Sequence, residues 1–225
     1  MNKIIGITGL MGSGKTYISH EFEKLGAVLY NSDKAAKRVQ ETNENLKRVL
    51  IDKFGSKYYI DGKVNSEFVR NLIFSGTEKS YDNLYWITEV VSVFVKIDFV
   101  EFCKQHKDAP YILAESAILF ESRFNQLCHK TINVKSTNAM NVAISRDNIN
   151  QDDWHIRMKT QIPEEDKEFD YIIENDYTNN VINKVKKYII LLSMVREEQI
   201  TKLQKRNPEI IEDASFYQDL TYISL

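Results

Sequence analysis

The segment IIGITGLMGSGKT, residues 4–16, determines how the rest of the chain is arranged. Its second part, from Gly9 to Thr16, fits the phosphate-binding loop pattern G-x-x-x-x-G-K-[ST]. The apolar residues before the loop predict a buried strand, and apolar residues on one face predict a helix over about 15–25. A strand before the loop and a helix after it are the context in which this short pattern is specific. The alternative is a glycine-rich turn that binds no ligand.

The residue types in the loop suit a nucleotide and a magnesium ion. Glycine adopts backbone angles that side chains forbid and lets the backbone approach a ligand closely. Backbone N–H groups can then point at phosphate oxygens, beside the positive end of the following helix. We expect the ammonium of Lys15 to contact the β- and γ-phosphates of ATP, and the hydroxyl of Thr16 to ligate Mg²⁺. The predicted nucleotide-binding residues are Gly12, Ser13, Gly14, Lys15, Thr16 and Tyr17.

The composition favours a cytoplasmic enzyme. The chain has 225 residues, of which 43% are hydrophobic, and only 3 Pro and 8 Gly, so we expect one sizeable core and no long linker. A net charge of −2 does not favour nucleic-acid binding. No apolar run reaches the ~18 residues that a membrane span needs, and Met1 leads directly into a predicted strand, so we expect no signal peptide. Cys103 and Cys128 are expected to be buried thiols, and the four His show no metal-ligand spacing.

Alternating strands and helices predict a parallel α/β sheet. Besides the first strand, buried strands are predicted at about 27–30, 110–115, 131–134 and 171–173, which gives five in all. Residues 43–108 are predicted to be almost wholly helical, with a turn at Asp61-Gly62. Within them, the Val- and Phe-rich segment 78–105 could contain a strand by periodicity alone, but its length favours a helix with a core-facing stripe.

Later helices are predicted from their capping residues and apolar spacing. We expect Ser136 or Thr137 to cap a helix that runs to about Arg146, and Asn150 to begin another. A final amphipathic helix is predicted from about residue 179 to beyond 200. Residues 206–225 carry no motif.

Two carboxylates follow predicted strands at the edge where ligands bind in open α/β sheets. Asp33 comes after the second strand, where it could act on a ligand or, together with Ser32, only cap a helix. Glu115 ends a later strand, where it could lie near Mg²⁺ or be a solvated acid. Both alternatives remain open for each residue at this point.

The order and spacing of these segments resemble the dephospho-coenzyme A kinase family. The resemblance extends from about Ile4 to Leu192 and rests on blocks of sequence in the family's order. After the phosphate-binding loop, the blocks are VLYNSD at 28–33, Phe54-Gly55, Asp61-Gly62, RNLIFS at 70–75, ILFE at 118–121, Ser145-Arg146-Asp147 with Arg157 and Gln161, and FDYIIEN at 169–175.

This resemblance implies a fold and an activity. The expected fold is a three-layer P-loop kinase with a five-stranded parallel sheet, occupying residues 1–225 as one domain. A helical acceptor-binding region is expected at about 35–108, and a small helical lid at about 137–162. The implied reaction moves the γ-phosphoryl group of ATP to the ribose 3′-hydroxyl of dephospho-coenzyme A, the last step of coenzyme A biosynthesis.

The resemblance also implies roles for particular residues. Lys15, Asp33 and Arg146 would be catalytic: Lys15 holds phosphates, Asp33 orients or deprotonates the acceptor hydroxyl, and Arg146 closes on the nucleotide with the lid. Asn175 would lie beside the adenine, and Thr16 and Glu115 would hold Mg²⁺. ATP and dephospho-coenzyme A are the expected partners, with no nucleic acid and no membrane, and the oligomeric state is left open.

The chain departs from the family pattern at several positions in the acceptor pocket and the lid. These are Asn31, Lys37, Thr88-Glu89-Val90, Ala117 and Val142. Two alternatives therefore remain: another small-molecule P-loop kinase with a nucleoside monophosphate-like acceptor, and a catalytically impaired nucleotide-binding homologue. The chain has no N-K-x-D motif for reading guanine, which argues against a GTPase switch.

Overall fold

The computed structural model describes residues 3–178 and 181–186. The chain divides into two compact units, Met1–Ile182 and Asn183–Leu225. Of the second unit, only residues 183–186 are described, and they are helical. The rest of the predicted final helix, and residues 206–225, lie outside the described residues. The architecture below is that of the first unit, and the prediction of one domain over the whole chain stays a prediction.

Seven helices and seven strands are named here in the order of the chain. The elements are β1 (Lys3–Thr8), α1 (Lys15–Lys24), β2 (Ala27–Asn31), α2 (Ser32–Thr42), α3 (Glu44–Phe54), β3 (Tyr59–Ile60), β4 (Lys63–Val64), α4 (Ser66–Ile73), α5 (Glu78–Gln105), β5 (Tyr111–Glu115), β6 (Lys130–Lys135), α6 (Ala139–Asp147), α7 (Gln151–Met158) and β7 (Tyr171–Glu174). Short 3₁₀ turns lie at Ser56–Tyr58, Phe124–Leu127 and Glu164–Asp166.

Five of the strands form one parallel sheet in the order β2-β5-β1-β6-β7. The central strands are almost continuously apolar, as expected of strands covered by helices on both faces. Ile5 and Ile7 of β1 and Ile112, Leu113 and Ala114 of β5 are buried. The predicted five-stranded parallel α/β fold is therefore confirmed, and all five predicted strands are present.

Helix α5 is continuous over its 28 residues, so the strand alternative for this segment is wrong. Its Val91, Val95 and Phe99 are buried in the hydrophobic core, together with Tyr30 of β2. The Val- and Phe-rich stripe is thus a core face, as predicted. None of the helices in the described part of the chain combines the length and the apolarity needed to span a membrane.

The region predicted to be almost wholly helical contains a small hairpin. Strands β3 and β4 pair antiparallel, Tyr59 with Val64 and Ile60 with Lys63. The predicted turn at Asp61-Gly62 connects them, with both residues in left-handed backbone, φ 50° and 77°. Two-residue strands are too short to show an alternating pattern, so only their turn could be recognised from the sequence.

The structure corrects two of the predicted helix caps. The cap of α2 is Asn31, whose side chain accepts the N–H of Lys34 at 2.9 Å, and not Ser32 or Asp33. Helix α6 begins after Asn138, and Ser136 only accepts the Asn138 N–H in the preceding turn, at 3.2 Å. Helix α7 does begin after Asn150, which forms a reciprocal capping box with Asp153. The misplaced caps lie in runs of adjacent polar residues, each of which could cap a helix.

Candidate active site

The phosphate-binding loop and the two carboxylates meet at one edge of the sheet. Glu115 pairs in register with Ile7 of β1 and with Asn31 of β2, so the ends of these three strands lie side by side. The loop continues from β1, and Asp33 lies just beyond β2. They line a cleft of about 890 Å³ at the carboxyl ends of the strands, the usual ligand position in open α/β sheets.

At two positions of the loop, the backbone angles are ones that favour glycine. Gly12 and Gly14 both have φ 87°, in the left-handed region. A Cβ at Gly12 would lie 1.9 Å from the carbonyl oxygen of Ala139, and one at Gly14 would lie 2.1 Å from Nδ2 of Asn175. The N–H of Ser13 closes a turn by donating to the Leu10 carbonyl at 3.0 Å. The glycines therefore let α6 and the end of β7 pack directly against the loop.

The ammonium of Lys15 is folded back onto its own loop. Nζ donates to the carbonyls of Gly9 at 2.8 Å and Leu10 at 3.1 Å. Burial lowers the pKa of Lys15, and the negative charges of Asp33 and Glu115 oppose that shift. From this buried position near two carboxylates, the ammonium can bind phosphate oxygens.

Thr16 and Glu115 form the candidate metal site. The Thr16 hydroxyl donates to Glu115 Oε1 at 2.6 Å. Glu115 is 2% exposed, and its other oxygen, Oε2, is buried with no hydrogen-bond partner in the described part of the chain. A buried carboxylate oxygen without a partner is costly, and Mg²⁺ prefers such oxygen ligands. These residues therefore fit the predicted ion.

The metal site needs ligands beyond the protein. The described residues contain no group of three or more His, Cys, Asp and Glu side chains that could hold a metal ion. Mg²⁺ in phosphoryl-transfer sites is usually bound by one or two protein ligands together with substrate phosphates and water. Thr16 and Glu115 correspond to that kind of open site.

Asp33 lies in the first turn of α2 and lines the cleft. Desolvation there raises the pKa of Asp33, and Lys15 and the Ala117 N–H, 3.5 Å from Oδ1, act in the opposite direction. Because Asn31 is the cap of α2, the alternative in which Asp33 serves only as the cap is wrong.

The predicted lid residues lie on two helices above the loop. Arg146 is in the last turn of α6, lines the cleft and pairs with Asp147 at 2.8 Å. From α7, the indole N–H of Trp154 donates to the Met11 carbonyl at 3.4 Å, and the Arg157 guanidinium lies 5.5 Å from the centre of the Phe74 ring. Helix α7 thus touches both the phosphate-binding loop and the inserted helical region.

The inserted helical region supplies an apolar wall to the same cleft. This wall consists of Phe74, Tyr81, Leu84 and Tyr85, from the end of α4 and the first turns of α5. Tyr85 is 64% exposed. Tyr17, from α1, also lines the cleft. An acceptor with aromatic or apolar parts would find a surface here.

Asn175 supports the phosphate-binding loop through a hydrogen bond. Its side-chain Nδ2 donates to the carbonyl of Ser13 at 2.9 Å, and the residue is 3% exposed. This contact was not predicted, and the predicted position beside the adenine stays a prediction. No sequence motif points to Trp154 or to Tyr177, whose hydroxyl donates to the Gly12 carbonyl at 2.5 Å. Neither belongs to a recognisable pattern, and their partners are more than 140 residues away in sequence.

The fold and the site together define a class of protein. A parallel α/β sheet, a phosphate-binding loop with its lysine, a hydroxyl–carboxylate pair for Mg²⁺ and an acid across the cleft are the parts of a P-loop phosphotransferase. The second carboxylate, Asp33, lines the same cleft as the phosphate-binding loop.

Comparison with known proteins gives the family. The family model described as dephospho-CoA kinase matches residues 3–181 of this chain. Curated dephospho-CoA kinases from Bacteroides fragilis and Porphyromonas gingivalis are 30% and 32% identical; the alignments cover 84% and 70% of this chain, and 92% and 76% of the relatives. The chain belongs to the dephospho-CoA kinase family, which confirms the predicted family and enzyme class.

Solved structures agree at the level of the fold. The protein TT1252 from Thermus thermophilus superimposes with a TM-score of 0.69 at 23% identity, covering 85% of this chain and 97% of that one. A dephospho-CoA kinase from Campylobacter jejuni gives a TM-score of 0.59 at 17% identity, covering 87% and 100%.

Proposed function

We propose that this protein phosphorylates the ribose 3′-hydroxyl of dephospho-coenzyme A with ATP, which completes coenzyme A. Membership of the family supports this reaction directly. The observation that carries it is that Asp33 lines the same cleft as Lys15, Thr16 and Glu115. A phosphate-binding cation and a base for an alcohol are both needed, and they must face the same reacting atoms.

The donor side of the reaction is the phosphate-binding loop. Lys15 would leave its loop carbonyls for the β- and γ-phosphates of ATP and stabilise the charge that develops during transfer. Thr16 and Glu115 would hold Mg²⁺, which supplies positive charge between the phosphates when bound. ATP is bound by Gly12, Ser13, Gly14, Lys15, Thr16 and Tyr17 in this proposal.

The acceptor side is Asp33 and the apolar wall. Asp33 would accept a hydrogen bond from the 3′-hydroxyl and orient its oxygen towards the γ-phosphorus. It would take the hydroxyl proton as the new P–O bond forms and the bond from the γ-phosphorus to the β–γ bridging oxygen breaks, with ADP as the leaving group. Phe74, Tyr81, Leu84 and Tyr85 lie where the rest of the acceptor would bind. The inserted helical region at 35–108 would in this way select the acceptor.

The lid at 137–162 would complete the site. Arg146 would approach the nucleotide, and Trp154 and Arg157 would keep the lid on the loop and the acceptor region. Closure excludes water, which otherwise competes with the acceptor hydroxyl. We place this enzyme in the cytoplasm, where its two substrates are soluble metabolites.

The test is the dependence of ATP consumption on the acceptor. Initial rates in a coupled assay should rise by orders of magnitude when dephospho-coenzyme A is added, and AMP should not replace it. A rate that ignores dephospho-coenzyme A would refute the proposal, and a preference for AMP would favour a nucleoside monophosphate kinase.

A further inference from the structure

Side-chain donors hold five successive carbonyls of the phosphate-binding loop. Lys15 Nζ contacts the carbonyls of Gly9 and Leu10, Trp154 that of Met11, Tyr177 that of Gly12 and Asn175 that of Ser13. In a trans peptide the C=O and the next N–H point in opposite directions, and the described chain has no cis peptide bond. Holding the carbonyls therefore also fixes the direction of the N–H groups.

Tyr177 fixes two of these peptide planes, one directly and one through Asn175. Its hydroxyl donates to the Gly12 carbonyl at 2.5 Å, which fixes the plane before Ser13. Its backbone N–H donates to Oδ1 of Asn175 at 3.0 Å, and Nδ2 of Asn175 in turn donates to the Ser13 carbonyl. The second plane carries the N–H of Gly14, the residue that precedes Lys15. The Tyr177 ring also lies 3.5 Å from the position of a Cβ on Gly14.

The backbone of Tyr177 is held in an unfavourable conformation. Its φ is 57°, in the left-handed region, where a bulky side chain is rarely found. Such backbone persists where surrounding contacts impose it, and it is concentrated at functional sites. Tyr177 is 44% exposed, so burial of its ring in a core does not account for the conformation. Its hydrogen bonds to Gly12 and Asn175 are the contacts that hold it in place.

We propose that Tyr177 is a positioning residue for phosphoryl transfer, whose hydroxyl orients the phosphate-binding loop towards the ATP phosphates. It does not touch the reacting atoms. Its hydroxyl fixes the peptide plane before Ser13, whose N–H closes the turn onto the Leu10 carbonyl at 3.0 Å. Its backbone N–H holds Asn175, which fixes the plane after Ser13. A turn that is already ordered in this way needs less ordering when ATP binds. This inference rests on the proposed function for its kinetic consequence, whereas its effect on nucleotide affinity is independent of the acceptor.

The variant Tyr177→Phe tests the inference because it removes only the hydroxyl and keeps the ring. Losing one hydrogen bond of this kind should weaken ATP binding by roughly three- to tenfold. The affinity for adenosine, which has no phosphates, should not change. The kcat/KM for ATP should fall by a similar factor, with an unchanged KM for dephospho-coenzyme A and an unchanged melting temperature.

The matched control is Tyr111→Phe, at the opposite end of β5 from Glu115 and the cleft. It should behave as wild type in every measurement. Wild-type affinity for ATP in Tyr177→Phe would overturn the inference, and so would an equal loss for ATP and adenosine or a loss that follows a lowered melting temperature. If the wild type and Tyr111→Phe show no acceptor-dependent turnover, the proposed function has failed, and the ATP and adenosine titrations still decide the role of Tyr177.

Discussion

At the scale of single residues, the site contains one buried cation, Lys15, near the carboxylates of Asp33 and Glu115. Lys15 has a lowered pKa because of burial, and Asp33 has a raised pKa for the same reason. Each shift is opposed by the other residue's charge, so the two groups stabilise one another's ionised forms. ATP would bring further negative charge to Lys15.

Lys15→Ala should abolish most of the turnover while the fold remains intact. The ammonium is the cation that the loop itself provides for the transferring phosphoryl group. We expect turnover to fall by about a hundredfold or more, which corresponds to about 2.7 kcal/mol or more of transition-state stabilisation. Steady-state rates and circular dichroism on the same sample measure both parts. Turnover near wild type would refute the assignment of the phosphate-binding loop.

Asp33→Asn should separate ATP binding from transfer. Asparagine keeps the shape of aspartate but loses its charge and its basicity. ATP should bind about as before, and phosphoryl transfer should fall by ~10² or more. Since Asn31 is the helix cap, a loss of helix capping cannot explain the defect. An unchanged rate with dephospho-coenzyme A would remove Asp33 from the mechanism.

The pH dependence of wild-type activity should reflect the ionisation of Asp33. In the proposed mechanism Asp33 acts in its ionised form, and desolvation raises its pKa. Activity should therefore be lost as the pH falls through this raised pKa, above the usual carboxyl range near 3.9. The residual activity of Asp33→Asn should lack this acid limb. A wild-type profile that stays flat to the ordinary carboxyl range would contradict the role.

At the scale of elements, helix α7 of the predicted lid is attached by few contacts. Ala139 and Ala143 of α6 are buried, but no residue of α7 is. The long Trp154–Met11 hydrogen bond and the Arg157–Phe74 contact join α7 to the body of the unit. Elements with so little buried apolar surface open at low free-energy cost.

We predict that the lid at 137–162 exchanges its amides quickly without ligand and is protected by ATP. Amide hydrogen exchange with and without nucleotide measures this directly. Strands β1 and β5, whose apolar side chains are buried, are the internal reference and should stay protected in both states. Exchange across 140–160 that ignores nucleotide would refute the prediction.

The sequence predicted the elements whose residues carry a strong local signal. Continuous apolar runs located the five parallel strands, and the long stripe in α5 was correctly assigned to the core. The hairpin at 59–64 and the caps of α2 and α6 were missed. A two-residue strand has no measurable period, and adjacent polar residues such as Asn31 and Ser32 are nearly equal as caps.

At the scale of the whole molecule, the topology assembles the site. The strand order β2-β5-β1-β6-β7 puts the ends of β2, β5 and β1 side by side, so residues far apart in sequence meet in one cleft. The phosphate-binding motif was enough to select Lys15 and Thr16, and a position after a predicted strand selected Asp33 and Glu115. Neither signal could find Trp154 or Tyr177, because their contacts with the loop arise only from packing between distant segments.

The most direct test of the proposed reaction is to determine which hydroxyl carries the transferred phosphate. After incubation with ATP, Mg²⁺ and dephospho-coenzyme A, phosphorus NMR should show one new phosphomonoester, coupled to the proton on the ribose 3′ carbon, with the diphosphate unchanged. Phosphate at another hydroxyl, or released only as inorganic phosphate, would contradict the claim that this cleft directs ATP to the 3′-hydroxyl.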